Sequence, residues 1–368
     1  MRITGKVLGI GVLAAAMLLT ACSTGAGTSS KGSIDPAAKK AAVAAVAEAS
    51  KVPQANTPTT LSTKAPTGKS GVFITCPLPI CAATSGEFVK AATALGWSTR
   101  LIVAEFTPES FVGAFESALQ LSPDYVGYIA TQPYDVIKDT LPKFKAAGIP
   151  VVVNSPSPDT PIGGDSPIVG AGSGANVTEK FSTLQADIVI ADADNLDNVT
   201  FMYDPSSPAY IQGHEVFVKQ IAAAGGKVHD FEINQADAGA TLLGQVVSYL
   251  QRNPDTEYLV VVNDGLVVGL PDAIAAAGLE SPKIIGSTTV EQSIEYLKKG
   301  TQFGSVQPDS YGSMWDMVDI LAHIDVGDTY DDQPLGAVMA VNKDNAAEVP
   351  AGTFAGVPDN YLKAWLLK

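Results

Sequence analysis

From residue 72 onward, short apolar runs alternate with stretches whose apolar residues recur every three or four positions. "GVFITC", "TRLIVAEF", "DYVGYIATQ" and "IPVVVNSP" read as strands. "TSGEFVKAATALG", "PESFVGAFESALQLS" and "YDVIKDTLPKFKAAG" read as the helices between them. Alternation of this kind predicts βαβ units and parallel sheets. A Pro- and Gly-rich stretch, 156–175, interrupts the pattern. It resumes with "NVTFMYD", "VHDFEIN", "EYLVVVND" and "PKIIGST" as strands, and with "AYIQGHEVFVKQIAAAGG", "TLLGQVVSYLQRNP" and "LPDAIAAAG" as helices. The break is central and each half is of ordinary domain size, so two similar α/β lobes fit better than one wide sheet. "TQFGSVQPDSYGSMWDMVDILAHI" then predicts a short strand leading into a long amphipathic helix, and "PLGAVMAVNK" one more strand. These pieces are explained if the chain crosses back to the first lobe.

The N-terminus has a different pattern. "MRITGK" is followed by an apolar run ending in "LTAC", a charged start and a hydrophobic segment too short for a stable membrane span. The ending resembles a lipobox, which makes 1–21 a lipoprotein signal peptide and Cys22 the acylated first residue of the mature chain. Residues 22–70 read as a tether, with an Ala-rich helix over 35–51 capped by Asp35 and started by Pro36. The full chain has 23 Lys+Arg against 38 Asp+Glu, a net charge of −15; losing Arg2 and Lys6 with the signal takes it to −17. An acidic surface excludes nucleic acid and anionic lipid as natural partners. Membrane attachment is expected only through lipid on Cys22.

Candidate chemistry is sparse. Cys76 and Cys81 in "CPLPIC" are expected to be oxidised to each other, because an exported chain folds where disulfides persist. His214, His229 and His323 are scattered, so neither a zinc site nor a Ser-His-Asp relay is expected, and no cofactor is implied. "GAGSGA" (170–175) matches a dinucleotide fingerprint, but only "PIVG" precedes it where a full strand is required. No phosphate loop and no Gly-x-Ser-x-Gly elbow occurs. An enzyme is not expected.

Strand tips remain, because open parallel sheets bind ligands beyond their carboxyl ends. Those tips are Cys76 to Ile80, Glu105 with Phe106, Thr131 with Gln132, Asn154 with Ser155, Asp204, Asn234, Asn263 with Asp264, and Thr288. Amides and hydroxyls dominate and no Arg or Lys appears, a set suited to a neutral, hydroxyl-rich ligand rather than to a carboxylate or phosphate. Asp204 and Asn234 serve equally well as caps.

With its lipobox, its tether, its two α/β halves and "VVVNDGLVVGLPDAIAAAG", the chain resembles the type I periplasmic binding proteins of ABC importers over about 70–345. The ribose- and galactose-binding subgroup is the most similar. The resemblance implies two doubly wound parallel-sheet lobes joined by a multi-strand hinge. It divides the chain into a first lobe of 71–156 and 307–330, a second lobe of 157–306 and a C-terminal crossover and tail of 331–368. It implies a monomer that captures a small sugar or polyol in an interlobe cleft. The protein would sit on the outer face of the cytoplasmic membrane and deliver its ligand to an ABC permease and ATPase. Asp264 matches the subgroup's hydroxyl-accepting Asp, Gln307 in "FGSVQPD" a later strand-end Gln, and Asn154 with Ser155 the fourth strand's tip. Gln132, Phe106, Tyr210 and Asn234 complete the expected ligand set. The subgroup's Arg is missing from "PAYIQGHEVF", and "CPLPIC" is apolar and stiff. A less polar or aromatic ligand stacking on Phe106, Tyr134 or Tyr210 is therefore the alternative, as is a receptor docking on a signalling partner.

Overall fold

The structure, a computed structural model, describes residues 34–367 except Gly174 and Leu335. Cys22 and the expected signal peptide lie outside the described residues. Elements are numbered along the chain from helix α1 (Pro36–Ala49), which Asp35 caps by accepting from the Ala37 amide at 3.2 Å.

The first sheet contains β1 (Ser70–Thr75), β2 (Ser98–Val103), β3 (Tyr125–Ile129), β4 (Val151–Asn154) and β5 (Ile168–Ser173), all parallel, in the order β2-β1-β3-β4-β5. Helices α2 (Pro79–Ala94), α3 (Pro108–Gln120) and α4 (Leu141–Ala146) connect its strands. Apolar clusters cover the sheet, Phe73, Phe88 and Val152 in one and Val72, Phe115 and Val153 in the other. Two-sided burial is why β1, β3 and β4 read as continuous apolar runs, whereas the edge strand β2 is largely exposed.

Helix α5 (Ala175–Asp192) opens the second lobe. The second sheet follows with β6 (Val199–Tyr203), β7 (Val228–Glu232), β8 (Tyr258–Val261), β9 (Lys283–Ser287), β10 (Gly304–Pro308) and β11 (Val338–Val341). Its order is β11-β10-β9-β8-β6-β7, parallel except for the β10–β11 pair. Helices α6 (Pro208–Ala223), α7 (Ala240–Arg252), α8 (Leu270–Ala276) and α9 (Glu291–Lys299) connect these strands. Without β11 the second sheet repeats the order of the first, so each strand has a counterpart in the other lobe. Helix α10 (Ser310–Val326) returns to the first lobe, where Met314, Met317 and Leu321 join its core. Helix α11 (Asp359–Ala364) lies on α10, with Trp315 and Trp365 stacked at 5.6 Å.

The structure departs from the expected boundaries in four places. The second lobe begins after β5 rather than at 157, because "IVGAGS" pairs with β4. Gln307 and Pro308 belong to the second sheet, and only α10 rejoins the first lobe. The expected tether is packed against the protein over its described residues, 34–70. Ile34 and Ala42 are buried in the second lobe's core, and the Asp35 amide bonds the Ala224 carbonyl. Small Ala side chains let α1 lie close on α5, a contact that leaves no strong amphipathic signal. The strand expected in "PLGAVMAVNK" forms, but as β11 it extends the second sheet instead of crossing back to the first lobe, and Trp365 of the tail is fully buried.

Helix α5 itself is absent from the sequence reading. Its buried residues Val177, Leu184, Ala186, Ile188, Val189 and Ile190 point in several directions, so it lacks the polar face by which a helix is recognised. "GAGSGA" proves to be mostly strand, and its Gly172 faces α10, where a Cβ would fall 1.9 Å from the Ser313 carbonyl oxygen. Close helix–strand approach accounts for that glycine. Among the described residues no helix is long and apolar enough to cross a membrane.

Candidate functional site

A cavity of about 150 Å³ lies between the carboxyl ends of the two sheets. From the first lobe, Thr131, Asn154 and Ser155 reach it beyond β3 and β4. From the second, Ser207, Tyr210, Gln235, Asn263 and Thr288 face them. The crossing strand supplies Pro308 and Asp309. Apolar surface comes from Leu78, Ile80, Ile129, Val177, Phe181 and Val262. Among the described residues the lining has one acid, Asp309, and no Lys, Arg or His.

Two backbone positions mark the site as constrained. Ser155 and Thr288 have φ of 53° and 56°, the left-handed region, which is uncommon for any residue but glycine and most of all for a β-branched one such as Thr288. They follow β4 and β9, the corresponding strands of the two lobes, and both line the cavity. Non-glycine backbone held this way costs about 1–3 kcal/mol and clusters at ligand sites.

Among the described residues, two side chains that line the cavity carry a buried polar atom with no partner within the protein. Thr131 Oγ1 in the first lobe and Gln235 Nε2 in the second are both shielded from solvent and unbonded. Buried polar atoms are satisfied in folded proteins, at a cost of about 1–3 kcal/mol when they are not. Ligand hydroxyls in the cavity would offer them partners. The Asn154 amide donates to Ser313 Oγ at 3.0 Å, and the Ser155 hydroxyl donates to Asn154 Oδ1 at 2.9 Å. Tyr210 has its phenol against the Asn263 side chain, and burial holds that phenol well above the usual tyrosine range. Asp309 caps α10 by accepting from Gly312 N at 2.9 Å and from the Thr353 hydroxyl at 3.1 Å. Burial pushes its carboxyl up to about 6 against the pull of those two bonds.

The loop before α2 closes one side. Cys76 and Cys81 lie side by side, with sulfurs 1.98 Å and Cα atoms 5.5 Å apart. The Cys81 carbonyl accepts from Thr75, Thr84 and Ser85. Leu78 and Ile80 therefore project into the cavity from a tightly held loop.

Of the eight residues expected to bind ligand, Asn154, Ser155 and Tyr210 line this cavity and five do not. Asp264 turns away. Its carboxylate lies over Gly286 and accepts from Ser305 at 2.8 Å and Gln302 at 3.0 Å. Burial raises that carboxyl to about 6, opposed by bonds from Ser305, Ser293 and Gln302. Its neighbour Asn263 both lines the cavity and caps the turn, accepting from Gly265 N at 2.8 Å. Gln307 also points outward, donating to the carbonyls of Pro350 at 2.8 Å and Thr353 at 2.7 Å and accepting from Thr289. Its neighbour Pro308 lines the cavity. Asn234 caps a short turn through Ala236 N at 2.9 Å, and Gln235 faces the cavity instead. Gln132 is buried outside the lining while Thr131 is inside it, and Phe106 lies outside it. Apart from Phe106, each expected residue lies within a residue or two of one that lines the cavity. In each of those four places the residue at the cavity is a sequence neighbour of the expected one.

A sequence profile described as a periplasmic binding protein domain matches residues 80–329. The chain belongs to this family. Its members bind solutes and are not enzymes. Solved structures with the same fold include a periplasmic ribose ABC transporter protein from Conexibacter woesei. It is 15% identical, with a TM-score of 0.60 over 78% of this chain and 96% of that one. A solute-binding protein from Mycobacterium smegmatis with bound glycerol is 15% identical, with a TM-score of 0.65 over 79% of this chain and 99% of that one. The Caulobacter myo-inositol binding protein is 17% identical, with a TM-score of 0.65 over 76% of this chain and 95% of that one. No curated protein matches the chain in sequence. The fold is thus the type I arrangement of this family, two lobes with a cavity between them. Among the described residues no cluster of three or more His, Cys, Asp or Glu is placed to hold a metal ion.

Proposed function

We propose that the protein is the solute-binding component of an ABC importer, a monomer that takes up a small neutral sugar or polyol between its lobes and delivers it to a permease and its ATPase. The observation that carries this reading is the pair of unpartnered buried atoms, Thr131 Oγ1 and Gln235 Nε2, on opposite walls of a cavity without a cation. Ligand hydroxyls can donate to one and accept from the other, whereas a carboxylate or phosphate would lack its guanidinium. The ligand set we assign is Thr131, Asn154, Ser155, Tyr210, Gln235, Asn263 and Asp309. It replaces Asp264, Gln307, Gln132, Phe106 and Asn234 on the geometry above.

A thermal-shift screen over ribose, arabinose, myo-inositol, allitol, glycerol and small aromatic acids tests the reading. A ligand at 100 times its dissociation constant adds about 2.7 kcal/mol of stability. A response confined to the aromatic acids would sink the polyol assignment. For a polyol that binds, Gln235→Ala is expected to weaken affinity by about 1 kcal/mol, roughly fivefold, at an unchanged melting temperature. A lowered melting temperature with unchanged affinity would place Gln235 in the scaffold.

Export, lipid on Cys22 and oxidation of Cys76 with Cys81 belong to the same proposal. Two acyl chains anchor where one holds weakly. Intact mass of the unreduced mature protein reads all three: acylation at Cys22, loss of residues 1–21, and two hydrogens fewer at the cysteine pair. Two titratable thiols in the unfolded protein would refute the last.

A further inference from the structure

The chain passes between the lobes five times. Three passages are those between β5 and α5, β10 and α10, and α10 and β11. The other two lie outside the residues matched to the family, 50–69 between α1 and β1, and 342–358 between β11 and α11. Both are fastened in each lobe. The N-terminal segment starts from α1 on the second lobe and buries Leu61 in the first, where Trp97 Nε1 donates to the Pro66 carbonyl at 2.7 Å. The C-terminal segment buries Val349 and Phe354 against Ile294 and Leu297 of α9, then places Tyr361 and Trp365 on α10.

The two segments also hold each other and the passage at 308–310. Asn345 donates to the Ser50 carbonyl at 3.1 Å, Asn360 to the Asn56 carbonyl at 2.9 Å, and the Leu61 amide to the Ala364 carbonyl at 2.9 Å. Asn56 reaches Asp316 of α10 at 2.9 Å. Gln307 bonds the carbonyls of Pro350 and Thr353, the Tyr311 amide bonds the Gly352 carbonyl at 2.9 Å, and the Thr353 hydroxyl bonds Asp309. Segment 349–354 is anchored to the second lobe, whereas Asp309 and Tyr311 begin the first lobe's α10. Of these bonds, the ones from Tyr311 to Gly352 and from Thr353 to Asp309 join the two lobes, and swinging the lobes apart would strain them.

We propose that the two terminal segments form a latch across the hinge. They hold the ligand-free lobes near the arrangement described, and Thr353 is the positioning residue through which the latch fixes Asp309 at the cavity. The inference does not depend on which ligand the cavity takes, so its failure and that of the polyol reading are separate results.

Small-angle X-ray scattering of the ligand-free, full-length mature protein tests it. Gly352 has φ of 74°, and a Cβ there would meet the Tyr311 ring at 2.9 Å, so Gly352→Ala should push the segment off α10. Thr353→Val removes the hydroxyl but keeps the shape, and Thr353→Ser restores it. Wild type and Thr353→Ser are expected to scatter alike, as a closed pair of lobes. Gly352→Ala and Thr353→Val are expected to show a larger radius of gyration with unchanged circular dichroism. Thr353→Val decides the matter if Gly352→Ala does not fold. A ligand-free wild type that scatters as an open pair overturns the proposal, as does a folded Thr353→Val with an unchanged radius.

Discussion

Trp365→Ala is expected to lower unfolding stability by about 3–5 kcal/mol, the usual cost of emptying a large aromatic site in a core. Trp365 is fully buried although it lies three residues from the chain's end. It stacks on Trp315 and meets Tyr361 edge-on at 5.8 Å. Its indole N–H donates to Asp319 at 2.6 Å, so truncation also leaves a buried carboxylate short of a donor. Burial already holds that carboxyl up at about 6. Urea titration of wild type, Trp365→Phe and Trp365→Ala should give three ordered midpoints. Coincident midpoints would mean that the tail contributes nothing to the fold.

Asp316→Asn is expected to gain stability relative to wild type as pH rises from about 4 to 8. Asp316 is buried on α10 and its carboxyl is pushed up to about 8. Burial is the main cause and the charges of Asp319 and Asp309 add to it, while bonds from Tyr361 and Asn56 pull it back. In the unfolded chain the same group titrates near about 3.9. Below that value both states hold the proton and the folded-state preference is fully present. Between the two values only the folded state keeps it, so stability falls as pH climbs and the preference is spent once pH passes the folded value. Asn carries no such proton. Both native bonds, from Tyr361 at 2.7 Å and Asn56 at 2.9 Å, fall on Oδ1, which Asn retains. The stability difference should move by at least about 1 kcal/mol toward the variant across that range, since each tenfold difference in proton affinity between the two states is worth about 1.36 kcal/mol. A difference that is flat with pH would show that Asp316 is ionised in the folded protein.

The alternation of apolar runs with helical spacing was enough to place both sheets, because strands buried on two faces have a composition that helices with one polar face do not share. It was not enough for α5, which is covered on several sides, or for α1, whose contacts are made by alanines. At the site, legibility stopped at the last strand residue. Beyond β8 the chain enters a short turn at Asp264–Leu266, and whether Asn263 or Asp264 enters the cavity depends on the space over Gly286 in the neighbouring strand. Nothing local to "VVND" records that space. Asp309 was hidden for a related reason: it looks like an ordinary helix cap, and it is one, but its helix begins at the cavity wall.

The placement of the indoles has a practical consequence. The chain has three tryptophans, and all three touch the terminal segments: Trp97 through Pro66, Trp315 through Trp365, and Trp365 as part of the tail itself. The second lobe has none. Intrinsic emission excited at the indole band therefore watches the first lobe and its wrapping, not the opposite wall of the cavity. A spectral change on adding a sugar would signal movement of that wrapping, and a silent titration would leave binding itself undecided.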